Sequence, residues 1–235
     1  IFIDQELWGY IGIDSCREAR QWSRSEESIL VAIAASIGGA FKRQRTEDQM
    51  RHQAFHDSLT GLPNRTLLNQ HLPLAIAHAQ RSGEILGVLF LDLDRFKTIN
   101  DTLGHAVGDQ LLIQATQRIK AALRDQDVVA RWGGDEFTLI LPGLQAPEDA
   151  AKVAQRLSEL LRPPFAIEHQ ELFITSSVGI ALYPQDGHDM TTLLQHADAA
   201  MYRAKAEGRN TYRFYTATIH SSASQLLTLE KYLHH

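Results

Sequence analysis

Between Val128 and Leu141 the run VVARWGGDEFTLIL sets two apolar stretches on either side of Gly133 and Gly134, and no other segment constrains the fold as tightly. A Gly-Gly pair suits the positive φ of a tight two-residue turn, so the flanks read as an antiparallel hairpin, Val128–Trp132 and Asp135–Leu141. Around it the hydrophobic period alternates between about 3.6 and 2 residues. It predicts a helix over Arg65–Arg81, bent or broken at Pro73, a strand over Ile85–Asp92, and helical segments over Arg95–Leu103 and Asp109–Leu123. After the hairpin come a helix opened by Pro147 and running to Arg162, a strand over Leu172–Leu182, a helix over Thr191–Glu207 and a short strand over Tyr212–Tyr215. Without the first helix and last strand the order is β-α-β-β-α-β, the split pattern of ferredoxin-like folds, an α/β (α+β) class with a central antiparallel sheet flanked by helices. In that topology the first two strands run parallel with the third antiparallel between them. Asp92 and Asp94 end the first strand, and Asp92 is therefore expected beside Asp135 and Glu136 on the hairpin turn.

A solvated hairpin tip would explain two acids beside a turn, but carboxylates clustered from separate segments pose a chemical problem. They repel, and at neutral pH must share protons or gather a cation. A hard divalent ion such as Mg²⁺ fits, since it takes oxygen ligands and completes its octahedron with water and substrate phosphates. Lys205 and Arg209, one turn apart in AAMYRAKAEGR, would then reach one point from one helix face. A stabilising interaction of basic residues with a helix C-terminus explains them equally well. No GxxxxGK[ST] motif occurs, which argues against a P-loop enzyme.

Composition narrows the partners. The formal net charge is −5, so the chain lacks the electrostatic footprint of a nucleic-acid polymer binder. Cys16 is the only cysteine, which removes disulfide frameworks and thiolate metal sites and makes a reducing cytoplasm the expected location. The longest mostly apolar stretch, SILVAIAASIGGAF, is shorter than the ~20 residues of a membrane span, and no signal peptide opens the chain. The start, IFIDQELWGYIGID, reads as strands joined at the turn-prone Asp4 to Glu6. A helical pattern follows over Glu26–Phe55, with Ile29, Ile33, Ile37 and Phe41 at i+4 spacing and a charged second half. A domain boundary is expected near His56 to Ser58.

Five blocks, in order, resemble the GGDEF domain of the diguanylate cyclase family. They are DSLTGLPNR (Asp57–Arg65), LDLDRFKTINDTLGHAVGD (Leu91–Asp109), RWGGDEF (Arg131–Phe137), VGIALYP (Val178–Pro184) and DAAMYRAKAEGRN (Asp198–Asn210). The resemblance implies a palm-type, nucleotide-cyclase-like fold that condenses two GTP molecules into cyclic di-GMP and releases pyrophosphate. By position it implies that Asp92, the Leu93 carbonyl and Asp135 hold Mg²⁺, with Mn²⁺ an acceptable substitute. Glu136 would assist at the metal or help activate the attacking 3′-hydroxyl. Asn100 and Asp109 match guanine-reading positions, and their side chains carry suitable acceptors and donors, though Asn100 could instead cap a turn and Asp109 sit at a helix N-terminus. Lys205 and Arg209 match triphosphate contacts, and Gly133 and Gly134 let the backbone approach the nucleotide. Arg124 and Asp127 of RDQD match the family's RxxD product-inhibition site; an exposed Arg-Asp pair at a helix end is the competing reading.

The flanks carry weaker resemblances. Residues 1–41 are similar to the closing part of a GAF sensor domain, residues 42–56 read as a helical linker, and residues 57–215 as the catalytic domain. The tail, 216–235, resembles the helix that leads into an EAL phosphodiesterase domain, so the chain is expected to be part of a longer signalling protein. One nucleotide site per domain and two GTP molecules per product imply a two-fold homodimer. The linker helix could control that pairing, or could be a solvated single helix.

Overall fold

The computed structural model of the chain describes residues 1–3, 6–12 and 21–217. Contacts divide the chain into two compact units, Ile1–Ala54 and Phe55–His235. The first opens with a short antiparallel pair, β1 (Phe2–Ile3) and β2 (Glu6–Leu7), whose expected turn at Asp4 lies outside the described residues. A single long helix follows, α1 (Arg24–Phe55). Its start is closed by a reciprocal cap: the Ser23 backbone N–H donates to Glu26 Oε2 (2.8 Å) and the Glu26 N–H to Ser23 Oγ (3.3 Å). Within this unit Trp8 packs on Phe41, and the Ile29, Ile33 and Phe41 stripe stays largely exposed.

The second unit is a mixed α/β body around a mostly antiparallel five-stranded sheet. Its elements are α2 (Arg65–Ser82), β3 (Ile85–Leu93), α3 (Phe96–Leu103), α4 (His105–Ala121), β4 (Val128–Gly133) and β5 (Glu136–Leu144). They continue with α5 (Pro147–Leu161), β6 (Phe165–Ile167), β7 (Gln170–Leu172), β8 (Ser176–Tyr183), α6 (Met190–Ala206) and β9 (Thr211–Phe214). The strand order is β4-β5-β3-β8-β9. β3 runs antiparallel to both β5 and β8, and β9 lies parallel to β8.

β3 sits at the centre and shows why the strand signal was strong. Leu86, Val88 and Phe90 face one core with Leu68 and Leu72 of α2 and Leu193, Ala197 and Met201 of α6. Leu89, Leu91 and Leu93 face another with Leu111, Ala115 and Ile119 of α4 and Val153 and Leu157 of α5. Period-2 alternation then assigns Asp92 and Asp94 to the α6 side.

Three expectations about elements change. α2 is neither broken nor interrupted at Pro73. The proline lies on the exposed side, and the buried series Leu68, Leu72, Ile76 and Ala79 runs past it, so the one lost backbone hydrogen bond is left to water. The strand expected over Leu172–Leu182 divides, because Gln170–Leu172 pairs with Phe165–Ile167 as a separate hairpin. Its tip, Glu168 and His169, adopts positive φ without the Gly or Asn that normally marks such a turn. Finally, α4 begins at His105, directly after Gly104 at φ 86°, four residues ahead of the expected start.

Candidate functional site

The hairpin turn is built from both sides. Gly133 of β4 pairs with Glu136 of β5, so Gly134 and Asp135 form the two-residue connection, and Gly134 takes φ 52°. A Cβ at Gly133 or Gly134 would meet nothing within 4 Å, so the turn presents open backbone. It is latched from behind. The Arg131 guanidinium donates Nε and Nη2 to the Gly134 carbonyl (2.9 and 2.8 Å) and Nη1 to Asp57 Oδ1 (2.9 Å). Burial opposes ionisation of Asp57, but hydrogen bonds from Thr60 and Arg131 outweigh it and hold the carboxyl below its ordinary range. The Asp57–Arg65 segment thus fixes the turn through Arg131.

On the sheet, Asp92 pairs in register with Glu136, and the Leu93 N–H donates to the Asp135 carbonyl (3.3 Å). Asp92 is only 6% exposed, and Lys205 Nζ of α6 lies 2.7 Å from its Oδ2. Burial raises the Asp92 pKa to about 6; the Lys205 charge opposes that rise and the charges of Asp135 and Asp94 add to it. Glu136 is pushed up in the same way, first by burial, then by Asp92 and Asp198, and Asp198 of α6 is pushed up by desolvation with Lys205 opposing. Asp94 is buried too, but its partners are Thr175, Ser177 and the Asn210 backbone. The structure therefore gathers Asp92, Asp135, Glu136 and Lys205 at one end of the sheet, and a single ammonium faces several carboxylates there.

The remaining sequence-expected residues are less uniform. Asn100, near the end of α3, has a buried Oδ1 with no hydrogen-bond partner, so its side chain caps no turn among the described residues. That oxygen lies against Gly108, where a Cβ would come within 1.8 Å of it. Asp109 is exposed in the second turn of α4, past the first turn in which the helix dipole acts strongly. Arg209 does not share a helix face with Lys205. α6 ends at Ala206, and Gly208 at φ 114° turns the chain, leaving Arg209 at φ 63° in the connection to β9.

Arg124 and Asp127 form a local turn. The Arg124 N–H donates to Asp127 Oδ2 (2.9 Å) and the Asp127 N–H to the Arg124 carbonyl (3.0 Å), while the guanidinium takes part in no ion pair among the described residues. An open cleft of about 350 Å³ lies beside them, lined by His71, Lys120, Leu123 and Val129 among others.

Residues 54–211 match the family model for the GGDEF domain of diguanylate cyclases. The chain belongs to the GGDEF diguanylate cyclase family. The chain is 45% identical over 185 residues to the bifunctional diguanylate cyclase/cyclic di-GMP phosphodiesterase MucR of Pseudomonas aeruginosa, covering 79% of this chain and 27% of MucR. The cyclic di-GMP phosphodiesterase NbdA of the same organism is 44% identical over 222 residues, 94% of this chain and 28% of NbdA. The chain thus spans about a quarter of the length of these curated relatives. Among solved structures, the GGDEF-only form of TpbB from P. aeruginosa superposes with a TM-score of 0.69 at 40% identity, covering 74% of this chain and 99% of that one. The coiled coil and GGDEF domain of DgcB from Caulobacter crescentus, in complex with c-di-GMP, gives a TM-score of 0.69 at 29% identity, over 81% and 100% of the two chains.

Among the described residues no three His, Cys, Asp or Glu side chains converge as a ready-made cation cage. The donors at this end of the GGDEF sheet are nevertheless hard oxygens, and burial makes the ionised Asp92 carboxylate costly in a way that a cation would relieve, so they fit a divalent ion completed by substrate oxygens. Two features escaped sequence reasoning. The Asp57–Arg131 latch lay in recognised motif blocks without a mechanical role, and Asp94 with Thr175 and Ser177 was legible only as a second aspartate at period-2 spacing beside a polar TSS entry to β8.

Proposed function

We propose that this chain is a diguanylate cyclase, condensing two GTP molecules into cyclic di-GMP with release of two pyrophosphates. The observation that carries the reading is the in-register pairing of buried Asp92 with half-buried Glu136 beside a latched GGDE turn, with Lys205 as the neighbouring ammonium. Asp92, the Leu93 carbonyl and Asp135 would hold Mg²⁺, or Mn²⁺ in its place, which when bound offsets phosphate charge and acidifies the attacking hydroxyl. Glu136, with its raised proton affinity, is suited to accept that 3′-hydroxyl proton or to support the ion. Lys205 exchanges a carboxylate for the triphosphate when nucleotide arrives, and Arg209 grips it from the turn after α6. Asn100 and Asp109 read guanine, the carboxylate accepting from the base's N–H groups and the amide offering both a donor and an acceptor.

Each domain supplies one nucleotide, so turnover requires two domains meeting about a two-fold axis, a homodimer whose population α1 would regulate. Arg124 and Asp127 would bind product and inhibit. Residues 1–41 would belong to a GAF-like sensor, 42–56 to the linker and 216–235 to a connection toward an EAL domain, in a cytoplasmic signalling protein; among the described residues no helix is long and apolar enough to cross a membrane. A silent module that binds GTP or cyclic di-GMP is the second reading, favoured by the similarity to NbdA and to PdeR of Escherichia coli, both named as phosphodiesterases. The test is product formation from GTP and Mg²⁺ by the purified chain and its loss in Asp135→Ala. A folded Asp135→Ala protein that makes cyclic di-GMP at the parent rate would overturn the chemistry.

A further inference from the structure

Asp92 near the end of β3 and Asp94 just past it lie on one side of the sheet, and the chemistry above uses only Asp92. Asp94 is 5% exposed and accepts from Thr175 Oγ1 (2.6 Å), Ser177 Oγ (2.7 Å) and the Asn210 backbone N–H (3.1 Å), while its own N–H donates to the Thr175 carbonyl (2.8 Å). One carboxylate therefore joins the end of β3, the entry to β8 and the turn between α6 and β9. These donors are neutral, whereas Asp92 has an ammonium. A buried carboxylate satisfied only by neutral donors is a costly way to join three segments that apolar packing could join.

The backbone on either side explains what the clamp does. Five described non-glycine residues take positive φ, and three of them border Asp94: Arg95 (61°), which follows it, and Arg209 (63°) and Asn210 (48°), the second of which it holds. Left-handed conformations at such residues are strained and persist only where the surroundings impose them. Charge-assisted hydrogen bonds to a fixed carboxylate supply that constraint.

We propose that Asp94 is a positioning residue, whose carboxylate holds the Arg209–Asn210 turn against the end of β3 so that Arg209 faces the phosphates of a nucleotide seated at Asp92 and Leu93. This rests on the GTP-binding reading above. It separates Asp94 from the guanine-reading residues, which lie on α3 and α4.

The experiment measures equilibrium binding of 3′-deoxy-GTP, which lacks the attacking hydroxyl, and of guanosine to the parent, Asp94→Asn, Thr175→Val and Thr175→Ser. Folding is checked by circular dichroism, and Mg²⁺ is set at limiting and at saturating concentration. Asp94→Asn should weaken 3′-deoxy-GTP binding by about tenfold or more, the scale of a lost hydrogen bond to a charged group, and leave guanosine binding within about twofold. The loss should be the same at both Mg²⁺ concentrations. Thr175→Val should weaken the triphosphate severalfold and Thr175→Ser should restore it. Rescue by saturating Mg²⁺ would make Asp94 a metal ligand, and equal losses for both probes would make it a general structural residue; either overturns the proposal, as does unchanged binding. If Asp94→Asn does not fold, the Thr175 pair decides alone. A parent chain that binds no 3′-deoxy-GTP overturns the GTP reading together with this one, whereas a binding parent with an indifferent variant overturns only this one.

Discussion

The acid cluster and the Arg124–Asp127 turn both suit a guanine nucleotide chemically, yet the chain builds them in opposite ways. The cluster draws Asp92 from β3, Asp135 and Glu136 from the hairpin and Lys205 from α6, and it buries Asp92 at a raised pKa of about 6. The turn is four residues long, closed by its own backbone, and its guanidinium is exposed. Keeping like charges together in a buried place costs stability, so such a cluster needs an external reason to exist. An exposed turn costs almost nothing and needs none. Geometry therefore speaks more strongly for chemistry at the cluster than for regulation at the turn.

The contrast is sharpest in turnover. Asp135→Ala should reduce the initial rate by more than the roughly 10–100-fold that even an outer partner of a metal ligand costs, while the fold survives because the side chain lies on a turn. Arg124→Ala should leave that initial rate nearly unchanged. If both substitutions lower it alike in steady-state assays, the two regions are not separate.

Next comes the electrostatic cost. The folded Asp92 pKa lies above its ordinary 3.8, so the fold favours the protonated form. Its stabilising contribution is complete below about pH 4 and is lost as pH rises through about 6. Each pKa unit is worth about 1.4 kcal/mol, so in metal-free buffer the parent should lose up to about 3 kcal/mol from this group between pH 4 and pH 7. Asp92→Asn should lack that loss, and denaturant melts of both proteins at the two pH values would show it. Parallel pH profiles would mean that the carboxylate is not strained as described.

The smallest effect on stability belongs to the turn. Losing an exposed Arg there changes stability by only about 0–1 kcal/mol. If Arg124 grips product, however, Arg124→Ala should abolish the slowing caused by added cyclic di-GMP. Progress curves for parent and variant, each with and without added product, settle it; identical inhibition would leave RDQD a plain helix end.

Particular residues show how far the sequence could be read. The meeting of Asp92 with Glu136 was legible because β3 and β5 have unambiguous apolar runs and the order of elements leaves one pairing. Arg209 was misplaced because one-turn helical spacing from Lys205 was carried past the end of the helix, where Gly208 turns the chain. Pro73 suggested a break, but a proline on the exposed face of a helix with a continuous buried series does not interrupt it. The β6–β7 hairpin was invisible because Glu168 and His169 carry its turn without the usual residues. Lys205 against Asp92 could not be foreseen at all, since spacing places a cation on a face but not its long side chain on a partner.

The central claim is that the chain joins two GTP molecules at this cluster. The direct measurement is nucleotide separation after incubating the chain with GTP and Mg²⁺, with the protein held as a dimer through a zipper fused to α1, and Asp135→Ala alongside. The parent should form one cyclic di-GMP and two pyrophosphates for every two GTP consumed, and the variant none. GTP left intact by a folded, dimeric parent that binds it would contradict catalysis and leave a nucleotide-binding module in its place.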